Sequence, residues 1–280
     1  MVWFAMLFRQ GGINVMNIHE LRKKPHLSVS AINNYIDCGL LYKLSKVDKV
    51  YPDFNLDAFA YGNAVHKVLA DFNQAKMIGD QYTIDDFIEG FEDRWYQEAT
   101  DNMRYGKDKN FYVLLEDGIK LFKAFYENMP DNIGNIIAIE EPFQFNIAGV
   151  DVPIIGVMDL VEEDESGMLV IADYKTSAKA YSKGQVAKNF QMTVYQMAAR
   201  ANGYADRDIL LRFDCLIKTK IPKFAQYFTT RNDNDMRRAE KKIRKVWEGI
   251  QKGVFIPNDT NWKCRSCQYK SHCNKWFNDD

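Results

Sequence analysis

The sequence predicts an α/β fold, and three observations carry that prediction. Up to about residue 130, apolar residues recur mostly at helical spacing. From Asn135 onward, three apolar runs rich in β-branched residues are separated by short turn-like stretches. After Lys183, helix-type and strand-type segments alternate. No internal repeat or low-complexity linker interrupts the chain. One integrated domain is therefore expected, with a helical N-terminal region over residues 17–135 and a core over 136–280. Residues 1–16 read as an extension or tail ahead of a natural start at Met16.

Taken in order, Ser28 or Ser30 caps a helix through "SAINNYIDCGLLYKL". "DAFAYGNAVHKVLADFNQAK" is helical, with Phe59, Val65, Leu69 and Phe72 on or near one apolar stripe. Thr83 and Asp86 form a capping pattern that opens "IDDFIEGFEDRWYQEAT". "FYVLLEDGIKLFKAFYENM" continues the helical region and stops before Pro130, because a residue preceding proline disfavours the helical conformation. The three strands are "NIIAIEEPFQFNI", "VPIIGVMDLVEE" and "GMLVIADYKT". One helix is expected over "GQVAKNFQMTVYQMAARANG", closed by Gly203. Strands "ILLRFDCLIK" and "FAQYFTT" follow, then the charged helix "DNDMRRAEKKIRKVWEGIQKG".

With 280 residues, 46% of them hydrophobic, the chain can bury a substantial core. No apolar run approaches the roughly 18 residues needed to span a bilayer. The apolar start lacks a basic leader segment and a small-residue cleavage site. Five cysteines, an odd count without such a leader, point to a reducing, cytoplasmic setting rather than a disulfide framework. The formal net charge of −1 predicts no partner from the whole-molecule field, so any polyanion-binding surface must be a local patch.

The stretch "IIGVMDLVEEDESGMLVIADYKTS" places Asp159, Asp173 and Lys175 inside apolar runs. An unpaired charge there is costly. A three-residue loop of Glu165, Ser166 and Gly167, with the glycine left-handed, makes a hairpin in which Asp164 faces Met168. Counting outward, Asp159 falls opposite Asp173. Lys175 lies two residues further along and shares that face. Two carboxylates held this close repel each other, and a hard divalent cation relieves the repulsion. Such a cation would lower the pKa of a bound water, which Lys175 could orient or deprotonate. A structural ion pair of Lys175 with either aspartate is the alternative.

"CRSCQYKSHC" spaces Cys264, Cys267 and Cys273 as C-x₂-C-x₅-C. Three cysteines this close suit a metal centre that needs a fourth ligand, and the spacing fits either zinc or an iron–sulfur cluster. Cys215, within a strand, reads as a buried thiol.

The patterns "GVMD", "IADYKT" and "QMTVY" resemble the PD-(D/E)XK nuclease superfamily in its RecB-like branch. The likeness is fullest to exonucleases with a four-cysteine iron–sulfur cluster, such as the AddAB-type nuclease domain and CRISPR-associated RecB-like nucleases. It runs from "LSVSAINNYIDC" to the last cysteines. The resemblance implies a restriction-endonuclease-like core, with a mixed central sheet flanked by helices and a C-terminal iron–sulfur staple. It casts Asp159 and Asp173 as ligands of Mg²⁺ or Mn²⁺, joined by His66 from "YGNAVHKVL" and the carbonyl of Tyr174. Lys175 becomes the catalytic lysine, and Gln191 and Tyr195, at i and i+4 on one helix face, would support the substrate by holding the DNA backbone, or position Lys175. Cys38 becomes the fourth cysteine, implying a 4Fe–4S cluster, with zinc as the alternative. The second acidic ligand is Asp where many relatives have Glu, and "DCGL" lacks the proline that often follows the cysteine. Glu141 is a weaker candidate for the site.

The activity implied is phosphodiester hydrolysis at DNA ends, mostly of single strands, in recombination, repair or phage DNA processing. Lys179, Lys183 and Lys188, with "IKTKIPKF" and "RRAEKKIRK", could supply a local phosphate-binding surface. Two other readings stay open: a CRISPR-adaptation nuclease that trims spacer precursors, and a non-catalytic DNA-binding module of a helicase–nuclease complex. Recombination, helicase or CRISPR-adaptation proteins would be the partners, and no membrane is involved.

Overall fold

The computed structural model describes residues 17–130 and 134–278, so the expected extension over residues 1–16 lies outside the described residues. The first elements are α1 (Ile18–Lys23), β1 (Leu27–Ser28), α2 (Val29–Asp37), α3 (Gly39–Tyr42) and a π-turn over Lys43–Val47. Next come β2 (Asn55–Leu56), α4 (Asp57–Ile78), α5 (Ile84–Glu98), β3 (Met103–Arg104) and α6 (Phe111–Asn128). The strand-rich part holds β4 (Asn135–Phe145), β5 (Ile154–Glu163) and β6 (Leu169–Ser177), then α7 (Lys183–Ala187) and α8 (Phe190–Ala201). It closes with β7 (Ile209–Ile217), β8 (Lys223–Thr229), α9 (Asp233–Gln251), a 3₁₀ turn over Trp262–Ser266 and α10 (Lys270–Asn278).

Among the described residues, six strands form one mixed sheet in the order β1-β5-β6-β7-β8, with β4 on the remaining edge of β5. The β1–β5 and β6–β7 pairs are parallel and the others antiparallel. Alternation along β6 sorts the two cores: Ile171 faces α2, α8 and α9, whereas Ala172 and Tyr174 face α4, α5 and α6. Helices therefore flank both faces, as the α/β prediction requires. Pro142 is tolerated in β4 because the strand pairs only with β5.

The hairpin register agrees with the sequence count. Glu163 pairs with Leu169, the Asp164 amide donates to the Met168 carbonyl, and Gly167 has φ +83°. A left-handed residue closes this loop, and glycine adopts that conformation without a Cβ clash.

Three expectations change. Ser28 does cap the first main helix, but α2 ends at Asp37, and Cys38 sits in extended backbone at φ −164° between α2 and α3. The helix expected over residues 184–203 is two: Lys188 ends α7, and the Asn189 side chain caps α8 by accepting from the Met192 amide. A side-chain oxygen that satisfies an orphan amide favours the start of a new helix there. Phe59, assigned to the apolar stripe of α4, is instead 63% exposed. Tyr61, Val65, Val68, Leu69 and Phe72 form the buried face.

Helices α5 and α6 meet where Gly118 faces Phe91, and a Cβ on residue 118 would stand 1.9 Å from the Phe91 ring. Phe91 is fully buried among Tyr61, Trp95 and Phe122, so it has no room to retreat. Gly118→Ala should cost about 1–3 kcal/mol, read as a lower Tm in thermal unfolding. An unchanged Tm would mean that the two helices can separate freely.

Candidate active site

The site lies in a fork of the sheet. Along one edge β5 pairs with β4 from Ile154 to Glu163, skipping only Asp159, opposite which Glu140 takes a left-handed φ of +47°. Its other edge is shared: β6 covers Leu160–Glu163, and β1 covers Ile154 and Ile155. Residues 156–159 between them have no strand partner on that side among the described residues. The ladder to β6 stops at Leu160–Ala172, one step before Asp159 would meet Asp173. The Asp159 carboxylate fills the opening by accepting from the Tyr174 amide at 2.9 Å. The predicted opposition thus survives in register, with a side-chain contact in place of the next ladder bond.

Asp173 is 1% exposed. Its Oδ1 accepts from the Tyr195 hydroxyl at 3.1 Å, and its Oδ2 lies 2.5 Å from Lys175 Nζ without a well-directed hydrogen bond. Lys175 also donates to Gln191 Oε1 at 2.9 Å, and Gln191 Nε2 donates to the Tyr195 oxygen at 2.9 Å. The Tyr195 oxygen also lies 2.8 Å from the Val157 carbonyl. Helix α8 thus sets Gln191 and Tyr195 one turn apart, where both reach the β6 charges. From the opposite face, α4 brings His66 Nδ1 to 3.3 Å from Asp159 Oδ2. The structure therefore brings together His66, Asp159, Asp173, Lys175, Gln191 and Tyr195. The Tyr174 side chain turns away to Asn73, while its backbone lies between Asp173 and Lys175.

The electrostatics follow from this crowding. Burial, reinforced by the neighbouring Asp159 charge and opposed by Lys175, raises the Asp173 pKa. Burial also opposes the Asp159 charge, but His66, Lys175 and the Tyr174 amide prevail and lower its pKa. Burial disfavours the Lys175 ammonium, yet the two carboxylates hold its pKa above the ordinary value. His66 is likewise raised: Asp159 outweighs the desolvation of the imidazole.

Among the described residues, no group of three or more His, Cys, Asp or Glu side chains forms a ready-made metal cage. Lys175 and His66 instead lean on the two carboxylates. The donor set nevertheless fits a hard divalent cation. Two carboxylates and an imidazole converge, and one fully buried oxygen of Asp173 lacks a directed donor.

A second constellation joins the ends of the described chain. The Asn258 amide donates to Cys38 Sγ at 3.4 Å, and Cys264 Sγ lies 3.2 Å from the Asn258 carbonyl. Burial raises the thiol pKa of Cys273, and charges on Cys38, Cys267 and Cys264 add to it. Cys267 is raised by burial too, with Cys264 and Cys38 contributing. Asn258 also donates to the Asp37 carbonyl, and Gln268 to that of Phe54, latching the tail to the N-terminal region. Asn258 escaped the sequence reading because an asparagine in an irregular stretch carries no periodic signal. Cys215 is fully buried in β7, as expected of a packing thiol.

Comparison with known proteins agrees with this architecture. The sequence profile of the PD-(D/E)XK nuclease superfamily matches residues 26–274, and the chain belongs to that superfamily. The chain is also similar to the gene 69 protein of Mycobacterium phage D29, at 28% identity over 276 residues, spanning 90% of this chain and 97% of the phage protein. Among solved structures, a candidate exonuclease from Eubacterium rectale shares the fold, with a TM-score of 0.57 and 15% identity over 91% of this chain and 94% of its own. No helix among the described residues is long and apolar enough to cross a membrane.

Proposed function

We propose that this nuclease is a metal-dependent DNA exonuclease that hydrolyses phosphodiester bonds at strand ends, chiefly of single strands. The observation that carries the reading is the convergence of Asp159, Asp173 and Lys175 in the open fork of the sheet. Asp159, Asp173, His66 and the main-chain carbonyl of Tyr174 would hold Mg²⁺ or Mn²⁺. A bound ion supplies a water of lowered pKa and counter-charge for the phosphate. Lys175, held against Asp173, would orient the attacking water and offset phosphate charge. Gln191 and Tyr195 hold that side chain and the Asp173 carboxylate in position. The setting we propose is phage DNA processing, recombination or repair, and the likeness to a phage protein favours the first of these. Linear and circular single strands incubated with Mn²⁺ test this. Linear strands should be degraded and circles spared; attack on circles at equal rate would reject exonuclease action.

Cys38, Cys264, Cys267 and Cys273 would hold a 4Fe–4S cluster, or zinc, as a staple rather than a reaction centre. Cys38 and Cys264 both contact Asn258, away from the fork, and charges on Cys38, Cys264 and Cys267 contribute to the raised thiol pKa of Cys273. A centre here closes a chain loop of more than 220 residues between Cys38 and Cys264, so metal loading couples to folding. Anaerobically purified protein should show the broad visible absorption of an iron–sulfur cluster. Cys38→Ser should lose it together with soluble yield. A colourless protein containing zinc would decide for the alternative metal, and a fully stable Cys38→Ser protein would reject the staple.

A further inference from the structure

Helix α4 carries a glycine that the protein itself does not use. Gly62 lies in the interior of a 22-residue helix, where alanine is the better helix former. Among the described residues, a Cβ built on it meets only Thr176 Oγ1, at 4.0 Å. No internal neighbour therefore requires the missing side chain, in contrast to Gly118, which Phe91 overlies. Gly62 lies one helical turn before His66, the residue that reaches into the fork. Phe59, three residues before Gly62 and seven before His66, shares that stripe and is 63% exposed. The stripe thus runs from an uncovered aromatic ring across a bare stretch of backbone to the metal-site imidazole, over about 10 Å of helix.

The neighbouring element supplies positive charge. Lys218 donates its amide to the Ser177 carbonyl at 2.7 Å, so the β7–β8 turn starts beside the end of β6 and Thr176. Its Nζ stands 4.3 Å from the ring centroid of Tyr61, the residue before Gly62; burial lowers its pKa, while the charges of Asp57 and Asp117 favour the ammonium. Lys220 and Lys223 follow in the same turn and strand.

We infer that this stripe of α4 is the track by which one DNA strand reaches the fork. Phe59 stacks a base, Gly62 clears the sugar–phosphate chain, and Lys218 meets a phosphate. The inference rests on the nuclease reading and adds the path of the substrate. Base stacking suits a single strand because every base offers a π-face to one ring, while duplex bases are already stacked.

The test uses full-length protein, a fluorescent single-stranded oligothymidylate with Ca²⁺ for binding, and end-labelled single strands with Mn²⁺ for cleavage. Phe59→Ala should weaken binding about tenfold, the loss expected for one base–aromatic stack. Gly62→Ala should raise Tm by about 2–3 °C yet slow cleavage at least tenfold, because the added methyl stabilises the helix and obstructs the strand. Phe228→Ala, an exposed aromatic opposite Arg212 at the other end of β7–β8, should bind as wild type does. If wild type neither binds nor cleaves single strands, the nuclease reading itself fails. If wild type does both and Phe59→Ala and Gly62→Ala match it, the track alone is overturned. A fall in Tm for Gly62→Ala would also overturn it, since the glycine would then serve the fold.

Discussion

Asp173→Asn should abolish DNA cleavage, with a loss on the order of 10²–10⁴-fold, while the protein stays folded. The substitution keeps the side-chain volume, and the Tyr195 hydroxyl can still donate to the retained oxygen. What disappears is the charge, carried by a carboxylate that is 1% exposed, with Asp159 beside it and Lys175 2.5 Å away. Removing that charge takes away a ligand for the divalent ion and the counter-charge that fixes the Lys175 ammonium. Lys175→Ala should be as damaging, and the double variant hardly worse than either single, because groups that act as a unit lose their effect together. Mn²⁺-dependent release of label from single-stranded DNA is the measurement. Circular dichroism of each variant guards against loss of fold. If Asp173→Asn keeps half the wild-type rate, the fork is not the catalytic site.

Much of this site was legible because strand periodicity is rigid. Once Gly167 fixed the turn, the positions of Asp159, Asp173 and Lys175 followed by counting, and the register agrees. Helical spacing said only that Gln191 and Tyr195, at i and i+4, share a face; their place in the site came from the family resemblance. The fork itself was not legible. It arises because β1, two residues long and more than 120 residues distant in sequence, takes the remaining part of one edge of β5. Such long-range pairing leaves no local pattern. The break between α7 and α8 was hidden because "KNFQ" keeps an acceptable helical composition while Asn189 exerts its capping preference only in three dimensions. Phe59 was misplaced because an aromatic at helical spacing normally seeks the core; only the packing of α5 and α6 shows which stripe of α4 is covered. The buried charges of β5 and β7 also went unread. Arg212 and Asp214 alternate within "LLRFDCL", a signal that two polar side chains share one face of an otherwise apolar strand.

Those charges carry the second large expected effect. Arg212→Met should destabilise the protein by about 3–5 kcal/mol, lowering Tm by roughly 10 °C. Arg212 Nε and Nη2 both donate to Asp214, and Nη1 lies 2.7 Å from Glu162 Oε2. Glu162 is 1% exposed, and neither of its oxygens accepts a well-directed hydrogen bond, so the ion pair is its main compensation. Asp214 would keep Gln226 as a donor at 2.9 Å, but Glu162 would face burial and the Asp214 charge alone. Burial, with a contribution from Asp214, already raises the Glu162 pKa above its ordinary 4.5 despite Arg212. Without the guanidinium it should rise further. A carboxyl with a raised folded-state pKa adds stability below its unfolded pKa and loses that contribution as pH climbs through the folded value. The deficit of Arg212→Met against wild type should therefore be smaller near pH 5 than near pH 8. Thermal unfolding of both proteins at the two pH values reads this directly. Neutralising the whole cluster with Glu162→Gln and Asp214→Asn alongside Arg212→Met should recover part of the loss, since what costs most is the unpaired buried charge. A deficit that stays constant with pH would show that Glu162 remains ionised by some other route, and that Arg212 acts through packing.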